Sequence, residues 1–309
     1  MTSAAATVMS VPGKTFLVGE YLALDGGPSI LLTTEPRFVL RTARQRRFSV
    51  QRPHTFAGAS PAGRLFVGHE ADFQGFNFRF DDPHRGAGGL GASSAQFALM
   101  YSWLTKTKSV VPETYDWSRL LTEYRACAWS GEGQAPSGAD LVAQLIGGVS
   151  LFDGRSSQLP SVCLHTRLQW SFPELSFTLI RTGVKVATHE HLKRAQVAPY
   201  DELRTIMNVA LEAFRENSEA KLIEAVNTYG EKLGRAGLTA EGTLGLVSAL
   251  QAQAKGVRAV KGCGAMGADV IVVLHDRIDG PGIKAWAVSK GLEICGEQSH
   301  LAKTGLKVE

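Results

Sequence analysis

Three glycine-dense loops most restrict what this chain can fold into. They span residues 86–91, 131–138 and 262–267, and an apolar segment follows each of them within a few residues. Glycine supplies 33 of the 309 residues, which is about 11% against about 7% in an average protein. Because glycine lacks a Cβ atom, such loops can turn sharply and let backbone N–H groups converge on a ligand. The sequence therefore predicts loops built for close approach of the backbone to a bound group.

Length and charge exclude several classes of protein. A chain of 309 residues, at about 150 residues per domain, is expected to form two domains, each with its own core. We place the boundary where the pattern changes from strands to helices, which gives residues 1–174 and 175–309. The net charge of +4 and the 20% of charged residues predict neither a nucleic-acid-binding surface nor a disordered chain.

The cysteines and the N-terminal residues bear on the cellular compartment. None of the four cysteines forms a C-x-x-C pair, which argues against a zinc site or a disulfide framework. Residues 1–10 lack the charged start and apolar core of a signal peptide. We therefore expect a cytoplasmic protein with no membrane partner. Cys263, in the third glycine loop, could be a low-pKa thiol near bound phosphate, but a small buried residue is the favoured interpretation.

Hydrophobic periodicity predicts a chain that begins with strands and becomes more helical. Residues 8–32 predict short strands separated by turns at Pro12-Gly13 and at residues 25–28. Further strands are predicted at residues 149–152, 175–182 and 270–274. Helices are predicted at residues 96–104, 139–146, 202–214, 220–233, 243–254 and 283–290.

Residues 37–52 raise the question of nucleic-acid binding, because they contain six arginines and no acidic residue. Aromatic residues for base stacking are not regularly interleaved with these arginines. A solvated hairpin with arginines on its outer face explains the same pattern. We therefore expect no nucleic-acid partner.

Residues 86–94 have the composition of an anion-binding loop. Their glycines let N–H groups converge, and the helix predicted after the serines adds partial positive charge at its N-terminus. The loop matches neither G-x-x-x-x-G-K-[ST] nor G-x-G-x-x-G after a strand. On these residues alone, a phosphate-binding loop and an ordinary flexible loop both remain open.

Four segments in order resemble the signatures of the GHMP small-molecule kinases. Residues 11–14 (VPGK) with 18–21 (VGEY) resemble the opening motif, and residues 88–95 resemble the phosphate-binding motif. Residues 136–140 (PSGAD) resemble the catalytic-aspartate segment, and residues 261–274 resemble the closing glycine motif. The resemblance spans nearly the whole chain. It implies an α+β fold with an N-terminal β-sheet/helix domain, a C-terminal ferredoxin-like domain and an active site between them.

Within this superfamily the chain is most similar to the phosphomevalonate kinase family. That family has G-E-Y where mevalonate kinases have G-E-H, and Tyr21 follows this pattern. Its closing motif ends in Asp, as Asp269 does here, and residues 181–188 resemble its T-G-x-x-A-S-T stretch. Mevalonate kinase remains the close alternative, and the mevalonate diphosphate decarboxylases rank third.

The resemblance implies a transfer of phosphate from ATP with Mg²⁺ to a small phosphorylated acceptor. Lys14 would steady the transferred group, and Asp140 would act as base or orient the acceptor. A homodimer is left open. The implied nucleotide-binding residues are Gly88, Gly89, Leu90, Gly91, Ala92, Ser93 and Ser94, of which the two serines would also serve the metal. The implied acceptor-binding residues are Lys14, Ser137, Thr182, Lys185, Gly264 and Ala265.

Simpler structural roles exist for the polar residues of this set. Asp140 could be only a helix N-cap, and Lys14 only a surface turn residue after Pro-Gly. Ser93 and Ser94 could cap a helix, and Ser137 could bond its own backbone. The residues alone leave these alternatives open.

The chain also departs from the family pattern at three places. The usual G-L-G-S-S-A gains Ala92, which displaces Leu90 by one position relative to the serines. Met266 stands where the closing motif usually has glycine, so it could reshape the acceptor pocket. Trp129 stands where mevalonate kinases carry a metal-binding Glu, and the nearby Glu132 does not align with that position. Met266 and Leu90 motivate a second hypothesis, a metabolite-binding protein that has lost catalysis.

Overall fold

The computed structural model describes residues 7–44, 56–154, 166–183 and 198–309. Outside these ranges lie three of the six arginines of residues 37–52 (Arg46, Arg47 and Arg52), one of the four cysteines (Cys163), and residues 184–188, which include Lys185. Within the described residues, no helix is long and apolar enough to cross a membrane.

The first half of the chain builds a six-stranded antiparallel sheet. Its strands are β1 (Thr7–Val18), β2 (Pro28–Arg44), β3 (Phe76–Asp81), β4 (Val149–Asp153), β5 (Thr166–Leu168) and β10 (Lys307–Val308). The strand order is β10-β1-β2-β4-β5, and β3 pairs with the C-terminal half of β2. The last strand of the chain thus returns to the first sheet, and the division at 174/175 stays a prediction.

Five helices belong to the same half of the chain. They are α1 (Pro61–Gly68), α2 (Glu70–Phe73), α3 (Ala92–Leu104), α4 (Trp117–Ala128) and α5 (Ala139–Ile146). Side-chain caps fix two of their starts: Ser60 accepts from the Gly63 N–H at 3.1 Å, and Asp116 accepts from the Arg119 N–H at 2.9 Å. In contrast, α3 and α5 begin at glycines in the left-handed region, without a side-chain cap.

The second half of the chain forms a four-stranded antiparallel sheet. Its elements are β6 (Leu175–Arg181), α6 (Tyr200–Glu216), α7 (Glu219–Arg235), α8 (Glu241–Gln253), β7 (Val257–Cys263), β8 (Val270–Asp276), α9 (Gly280–Ser289) and β9 (Ile294–Glu297). The strand order is β7-β8-β6-β9. Counted along the chain, this is the second, third, first and fourth strand of a β-α-β-β-α-β unit with extra helices after the first strand. The predicted ferredoxin-like arrangement is confirmed.

One apolar core joins the two sheets. Leu17 and Ile30 of the first sheet pack in the same buried cluster as Phe177 and Val272 of the second sheet. Leu90, from the first glycine loop, is 1% exposed and belongs to this cluster. The glycine loop is therefore anchored at the junction of the two sheets, where a site between them would lie.

Most predicted helices and strands are confirmed, but the turn at Pro12-Gly13 is wrong. Residues 7–18 form one continuous strand, with a register shift against β2 between Pro12 and Gly13. The Pro-Gly pair is a strong local turn signal, but pairing with β2 on both sides of it holds the strand together. The extra residues at this shift, Glu35 and Pro36, lie on β2, so β1 continues through Pro12 and Gly13 into Lys14.

The picture of outward-facing arginines in residues 37–52 also needs correction. Arg37 has a side chain only 10% exposed, and its guanidinium donates to the Ser10 carbonyl oxygen at 3.0 Å and to the carbonyl of Gly305. Burial lowers the pKa of Arg37 despite the opposing charge of Glu35. Arg41, at 54% exposed, does face outward and pairs with Asp81. Arg37 therefore ties the C-terminal residues to β1 and does not belong to a solvated arginine surface.

Candidate active site

Lys14 lies on β1 at the centre of the site. Its backbone N–H donates to the Leu90 carbonyl oxygen at 3.0 Å, which joins the strand to the first glycine loop. Its Nζ is 3.9 Å from Asp140 Oδ2, and the two side chains are 12% and 26% exposed. The same Nζ lies 5.1 Å from the centre of the Phe16 ring. Lys14 and Asp140, which are 126 positions apart in the chain, thus form an accessible ion pair.

The first glycine loop has a backbone that requires glycine. Gly88, Gly89 and Gly91 have φ values of +80°, +79° and +83°, in the region that L side chains rarely adopt. A Cβ on Gly89 would lie 2.8 Å from Asp269 Cβ, and one on Gly91 would lie 2.9 Å from Lys14 Cε. The loop therefore passes directly between the Lys14 side chain and the third glycine motif.

The loop ends at the N-terminus of α3, where Gly91 is the N-cap residue. No side chain of the described residues caps this helix. The first N–H groups of a helix have no partner inside the helix, and they carry its partial positive charge. An anion between this end and the Lys14 amine would meet both. The arrangement fits the phosphate-binding interpretation and places Ala92 at its first turn.

The two serines after the loop are not equivalent. Ser94 is buried and donates to the Gly91 carbonyl oxygen at 3.0 Å, so it does not act as the predicted helix cap, which would accept from a helix N–H. Ser93 is exposed, with a hydroxyl that is accessible from solvent. Residues 7–44, 56–154, 166–183 and 198–309 contain no group of three or more His, Cys, Asp or Glu side chains that could hold a metal ion. A metal here would depend on hydroxyl and phosphate oxygens.

Asp140 lies in the first turn of α5, after a tight turn at Ser137 and Gly138. Gly138 has φ +82°, and a Cβ there would lie 2.3 Å from Leu121 Cδ2, so this turn also requires glycine. The Leu141 N–H donates to Asp140 Oδ1 at 3.1 Å, which leaves Oδ2 facing Lys14. The Ser137 hydroxyl accepts from the Ala139 N–H at 3.2 Å, so it bonds its own turn.

Gln144 is a buried residue of the site that sequence reasoning missed. It is fully buried one helical turn after Asp140, on α5. Its Nε2 donates to the Pro12 carbonyl oxygen at 3.0 Å and to the Gly91 carbonyl oxygen at 3.1 Å. One amide therefore connects the strand of Lys14, the glycine loop and the helix of Asp140. The available signal was a polar residue at i+4 from Asp140 in an otherwise apolar helix.

The third glycine motif closes the site from the second sheet. Gly264 has φ +83°, and a Cβ there would lie 3.4 Å from Asp269 Oδ2. Ala265 follows it in a short 3-10 turn of residues 265–267. Thr182 is buried: its N–H donates to the Asp269 carbonyl oxygen at 3.2 Å, and its hydroxyl donates to the Ala268 carbonyl oxygen. Thr182 therefore fixes the end of the third glycine motif through these two carbonyl groups.

Met266 adopts the left-handed conformation, with φ +54°. Its side chain is 5% exposed, and the Tyr21 hydroxyl lies 3.9 Å from its Sδ. The same hydroxyl donates to the Leu238 carbonyl oxygen at 3.2 Å, and the Ala240 N–H donates to the Met266 carbonyl oxygen at 2.7 Å. The long side chain that stands in place of glycine is thus packed inside against Tyr21.

A second Lys–carboxylate pair lies beneath the site. Lys261 Nζ is 2.7 Å from Glu20 Oε1, with the side chains 0% and 3% exposed. Burial opposes the charge on Lys261, but the adjacent Cys263 sulfur and the Glu20 carboxylate outweigh it and raise the pKa of Lys261. Burial raises the pKa of Cys263. The interpretation of Cys263 as a small buried residue is confirmed, and the low-pKa alternative is wrong.

The loop after α4 contains Trp129, at the position where mevalonate kinases carry a metal-binding Glu, and the nearby Glu132. Trp129 is 36% exposed, and its indole N–H donates to the Glu132 carbonyl oxygen at 2.8 Å. Glu132 is exposed, with glycines of positive φ on both sides of it, Gly131 and Gly133. This loop presents an indole where mevalonate kinases are expected to present a carboxylate.

Comparison with known proteins finds relatives by structure but not by sequence. No family model matches the chain, and a search of curated proteins also finds no match. Many solved structures do match. The phosphomevalonate kinase of Streptococcus pneumoniae is similar with a TM-score of 0.71 and 17% identity, over 94% of this chain and 98% of that one.

Two further structures show how widely the fold is shared. A mevalonate kinase of L. major, in complex with R-mevalonate, has a TM-score of 0.66 and 16% identity, over 92% of this chain and 94% of that one. The Lactococcus lactis galactokinase complexed with galactose has a TM-score of 0.70 and 13% identity, over 99% of this chain and 95% of that one. The chain therefore has the two-domain α+β fold of the GHMP kinases, as the sequence motifs predicted.

Proposed function

We propose that this protein transfers the γ-phosphoryl group of ATP to 5-phosphomevalonate, with a diphosphate and ADP as products. The observation that carries the proposal is the convergence of Lys14, Asp140 and the N-terminus of α3 around the first glycine loop. Phosphoryl transfer requires mainly that groups are positioned and that charge is neutralised. This site offers backbone donors, one cation and one carboxylate in contact range of each other.

The residues divide naturally into a donor side and an acceptor side. The N–H groups of residues 88–92 would bind the phosphates of ATP, with Gly91 holding the loop close to Lys14. Lys14 would neutralise charge on the phosphoryl group during transfer. A phosphate acceptor is already ionised near pH 7, because its second pKa is about 6. Asp140 is therefore expected to orient the acceptor and to balance the charge of Lys14.

Mg²⁺ fits the site as an ion held mainly by phosphate oxygens. It prefers oxygen ligands, retains several waters and often uses only one or two protein ligands. The Ser93 hydroxyl is the exposed oxygen at the start of α3, while the Ser94 hydroxyl bonds to Gly91. We therefore assign the protein ligand to Ser93. When bound, the ion would neutralise phosphate charge.

Three features favour the phosphorylated acceptor over mevalonate. Tyr21 and Asp269 follow the phosphomevalonate kinase pattern, and Trp129 replaces the metal-binding Glu of the mevalonate kinases. A Streptococcus pneumoniae phosphomevalonate kinase in complex with phosphomevalonate and AMPPNP is similar over 94% of this chain, with a TM-score of 0.71 and 16% identity. Lys185, Thr182, Gly264 and Ala265 remain the proposed acceptor side of the site.

The test is ADP release by the purified protein with ATP and Mg²⁺, in parallel with mevalonate and with 5-phosphomevalonate. Turnover with phosphomevalonate alone is the expected result, and Asp140→Ala serves as the blank. Turnover with mevalonate alone would show that the acceptor is wrong. If ATP raises the unfolding temperature but neither acceptor yields ADP, the metabolite-binding hypothesis replaces the kinase.

A further inference from the structure

Arg181, the last residue of β6, lies beneath the first glycine loop. Its side chain is 8% exposed, and its Nη1 donates to the Gly88 carbonyl oxygen at 2.6 Å. Its Nε is 3.1 Å from Glu293 Oε2, and its backbone N–H donates to the Glu293 carbonyl oxygen at 2.8 Å. Glu293 comes just before β9, the strand next to β6. The second sheet thus extends one buried guanidinium to a carbonyl of the loop.

We propose that Arg181 is a positioning residue that sets the direction of the N–H groups with which the glycine loop binds phosphate. The inference rests on the proposed function, since the phosphate in question is that of ATP. It goes beyond that function because it assigns the control of the loop to Arg181 in the second sheet, outside the four segments that resemble the GHMP-kinase signatures.

The hydrogen bond to the Gly88 carbonyl also determines where the Gly89 N–H points, because both groups belong to the same peptide. A trans peptide is planar, so its C=O and the following N–H point in opposite directions. Because the Gly88 carbonyl points towards Arg181, the Gly89 N–H must point away from Arg181. Within the described part of the chain, no backbone acceptor outside helices and strands takes the Gly89 N–H. Arg181 therefore leaves this donor free for a ligand.

The glycines explain why such an anchor is needed. Gly88 and Gly89 both have positive φ, a conformation that glycine shares with many alternatives of similar energy. A peptide between two glycines can rotate easily unless a hydrogen bond holds it. A bond from a charged donor is stronger than one between neutral groups, by roughly a factor of two. The Arg181–Gly88 bond therefore selects one orientation of this peptide.

The surroundings of Arg181 show that it acts through the loop. Its Nε and Nη2 atoms are inaccessible to solvent, so a nucleotide in the open cleft would not touch them. His84 lies near Arg181. Burial is the main cause that lowers the pKa of His84, and the charge of Arg181 is the second. His84 is therefore neutral near pH 7, and Glu293, with its side chain 62% exposed, is the carboxylate that balances Arg181. The guanidinium therefore donates a hydrogen bond to the loop carbonyl and pairs with the Glu293 carboxylate by charge.

The experiment is calorimetric binding of ATP and of adenosine to the wild type and to Arg181→Gln, Arg181→Lys and Glu293→Gln. We expect Arg181→Gln to weaken ATP binding about 10-fold or more, because a hydrogen bond from a charged group is lost. Adenosine affinity is expected to stay unchanged, since adenosine has no phosphate. Arg181→Lys should restore part of the loss, because it keeps the charge but not the fork. In turnover, the KM for ATP should rise while the KM for the acceptor stays constant.

Arg258→Gln is the matched control, because Arg258 also pairs with a carboxylate of the second sheet, Asp276, at 2.7 Å, but is 48% exposed. It should leave both affinities unchanged. If Arg181→Gln does not fold, as judged by thermal unfolding, Arg181→Lys and Glu293→Gln carry the test.

The outcomes separate this inference from the proposed function. Equal ATP affinity in the wild type and the Arg181 variants, or equal losses for ATP and adenosine, would overturn the inference alone. ATP binding that depends on Arg181 without turnover of any acceptor would overturn the kinase but support the positioning role. A wild type that binds no ATP would overturn both.

Discussion

Two Lys–carboxylate pairs of the same chemistry lie in very different surroundings. Lys14 and Asp140 are 3.9 Å apart and 12% and 26% exposed, whereas Lys261 and Glu20 are 2.7 Å apart and 0% and 3% exposed. The first pair is loose and open to a ligand, while the second is tight and closed. Both pairs connect distant parts of the chain, so neither is a product of local sequence.

The difference in burial separates a pair that a substrate can reach from a pair that only stabilises the fold. An accessible pair that is not in direct hydrogen-bond contact can exchange its partner for a substrate. A closed pair cannot do this, because removing either ion leaves the other desolvated and unpaired. Glu20 follows the Gly19 turn after β1, and Lys261 lies on β7. We therefore propose that the Lys14–Asp140 pair serves phosphoryl transfer, whereas the Glu20–Lys261 pair joins the two sheets.

The largest expected effect is on turnover, in Asp140→Asn. Loss of the charge that faces Lys14 should lower kcat by about 100-fold or more, which is the usual range for a group acting directly on transfer. The folded state should keep its stability, since Asp140 is partly exposed and bonds only to its neighbour Leu141. Steady-state ADP release and urea unfolding measure the two effects. Asp72→Asn, with a side chain 62% exposed, is the control and should change neither. Near-normal turnover at saturating substrates would remove Asp140 from the mechanism.

The next effect is on stability, in Lys261→Met. This variant leaves the Glu20 carboxylate buried without its cation, which should lower the free energy of unfolding by about 3–5 kcal/mol. The double variant Glu20→Gln/Lys261→Met removes both charges and should recover part of that loss. Urea unfolding of Lys261→Met, Glu20→Gln and the double variant measures the coupling. A loss below about 1 kcal/mol in Lys261→Met would place this pair with ordinary surface pairs.

Each lysine also packs against a glycine, which gives a matched pair of substitutions. A Cβ on Gly91 would lie 2.9 Å from Lys14 Cε, and a Cβ on Gly230 would lie 2.8 Å from Lys261 Cβ. Gly91→Ala should reduce kcat about 10-fold or more by displacing the Lys14 amine. It should also cost about 1–2 kcal/mol of stability, because its φ is positive.

Gly230→Ala should lower stability alone. Gly230 lies in α7, where alanine gains up to about 1 kcal/mol in helix propensity, but overpacking costs about 1–3 kcal/mol. We expect a small net loss in urea unfolding with kcat unchanged. An activity loss in Gly230→Ala equal to that in Gly91→Ala would mean that the two lysines do not differ in role.

The smallest effect is expected at a third lysine, on the surface. Lys221 Nζ lies 2.8 Å from Glu212 Oε2 and 3.0 Å from Glu216 Oε2. The hydrogen bond from Lys221, and then its charge, lower the pKa of Glu212 below its ordinary value of 4.5. The contribution of this pair to stability is therefore complete above pH 4.5, and it is lost as the pH falls from there through the lowered pKa. Glu212→Gln should shift thermal unfolding too little to detect at physiological salt, because exposed pairs are screened. A clear shift that persists at high salt would contradict this.

Sequence reasoning succeeded where the signal was local. The glycine loops, the helix at α5 and the buried strand β8 follow from composition and periodicity within a few residues. Lys14 and Asp140 were chosen because each stands in a segment that resembles a GHMP-kinase signature, and the structure brings them together. The assignment of their roles remains a proposal.

The contacts that sequence reasoning missed join residues far apart in the chain. Gln144 bonds to Pro12 across 132 positions, and Lys261 pairs with Glu20 across 241 positions. The polar position of Gln144 in an apolar helix is a local signal, but no local pattern names the partners of these residues, because tertiary packing sets them. The same reason explains Pro12-Gly13, where pairing with β2 overrides a local turn signal. Arg181 belongs to this group, because its partner Gly88 lies 93 positions away.

The most direct test of the account is identification of the product by ³¹P NMR. Wild type and Asp140→Asn would be incubated with ATP, Mg²⁺ and 5-phosphomevalonate. We expect the wild type to form a diphosphate monoester and ADP in equal amounts, and Asp140→Asn to form neither at a comparable rate. Inorganic phosphate in place of the diphosphate, or an intact ATP spectrum from a wild type that binds ATP, would contradict the assignment of phosphoryl transfer to the Lys14–Asp140 pair.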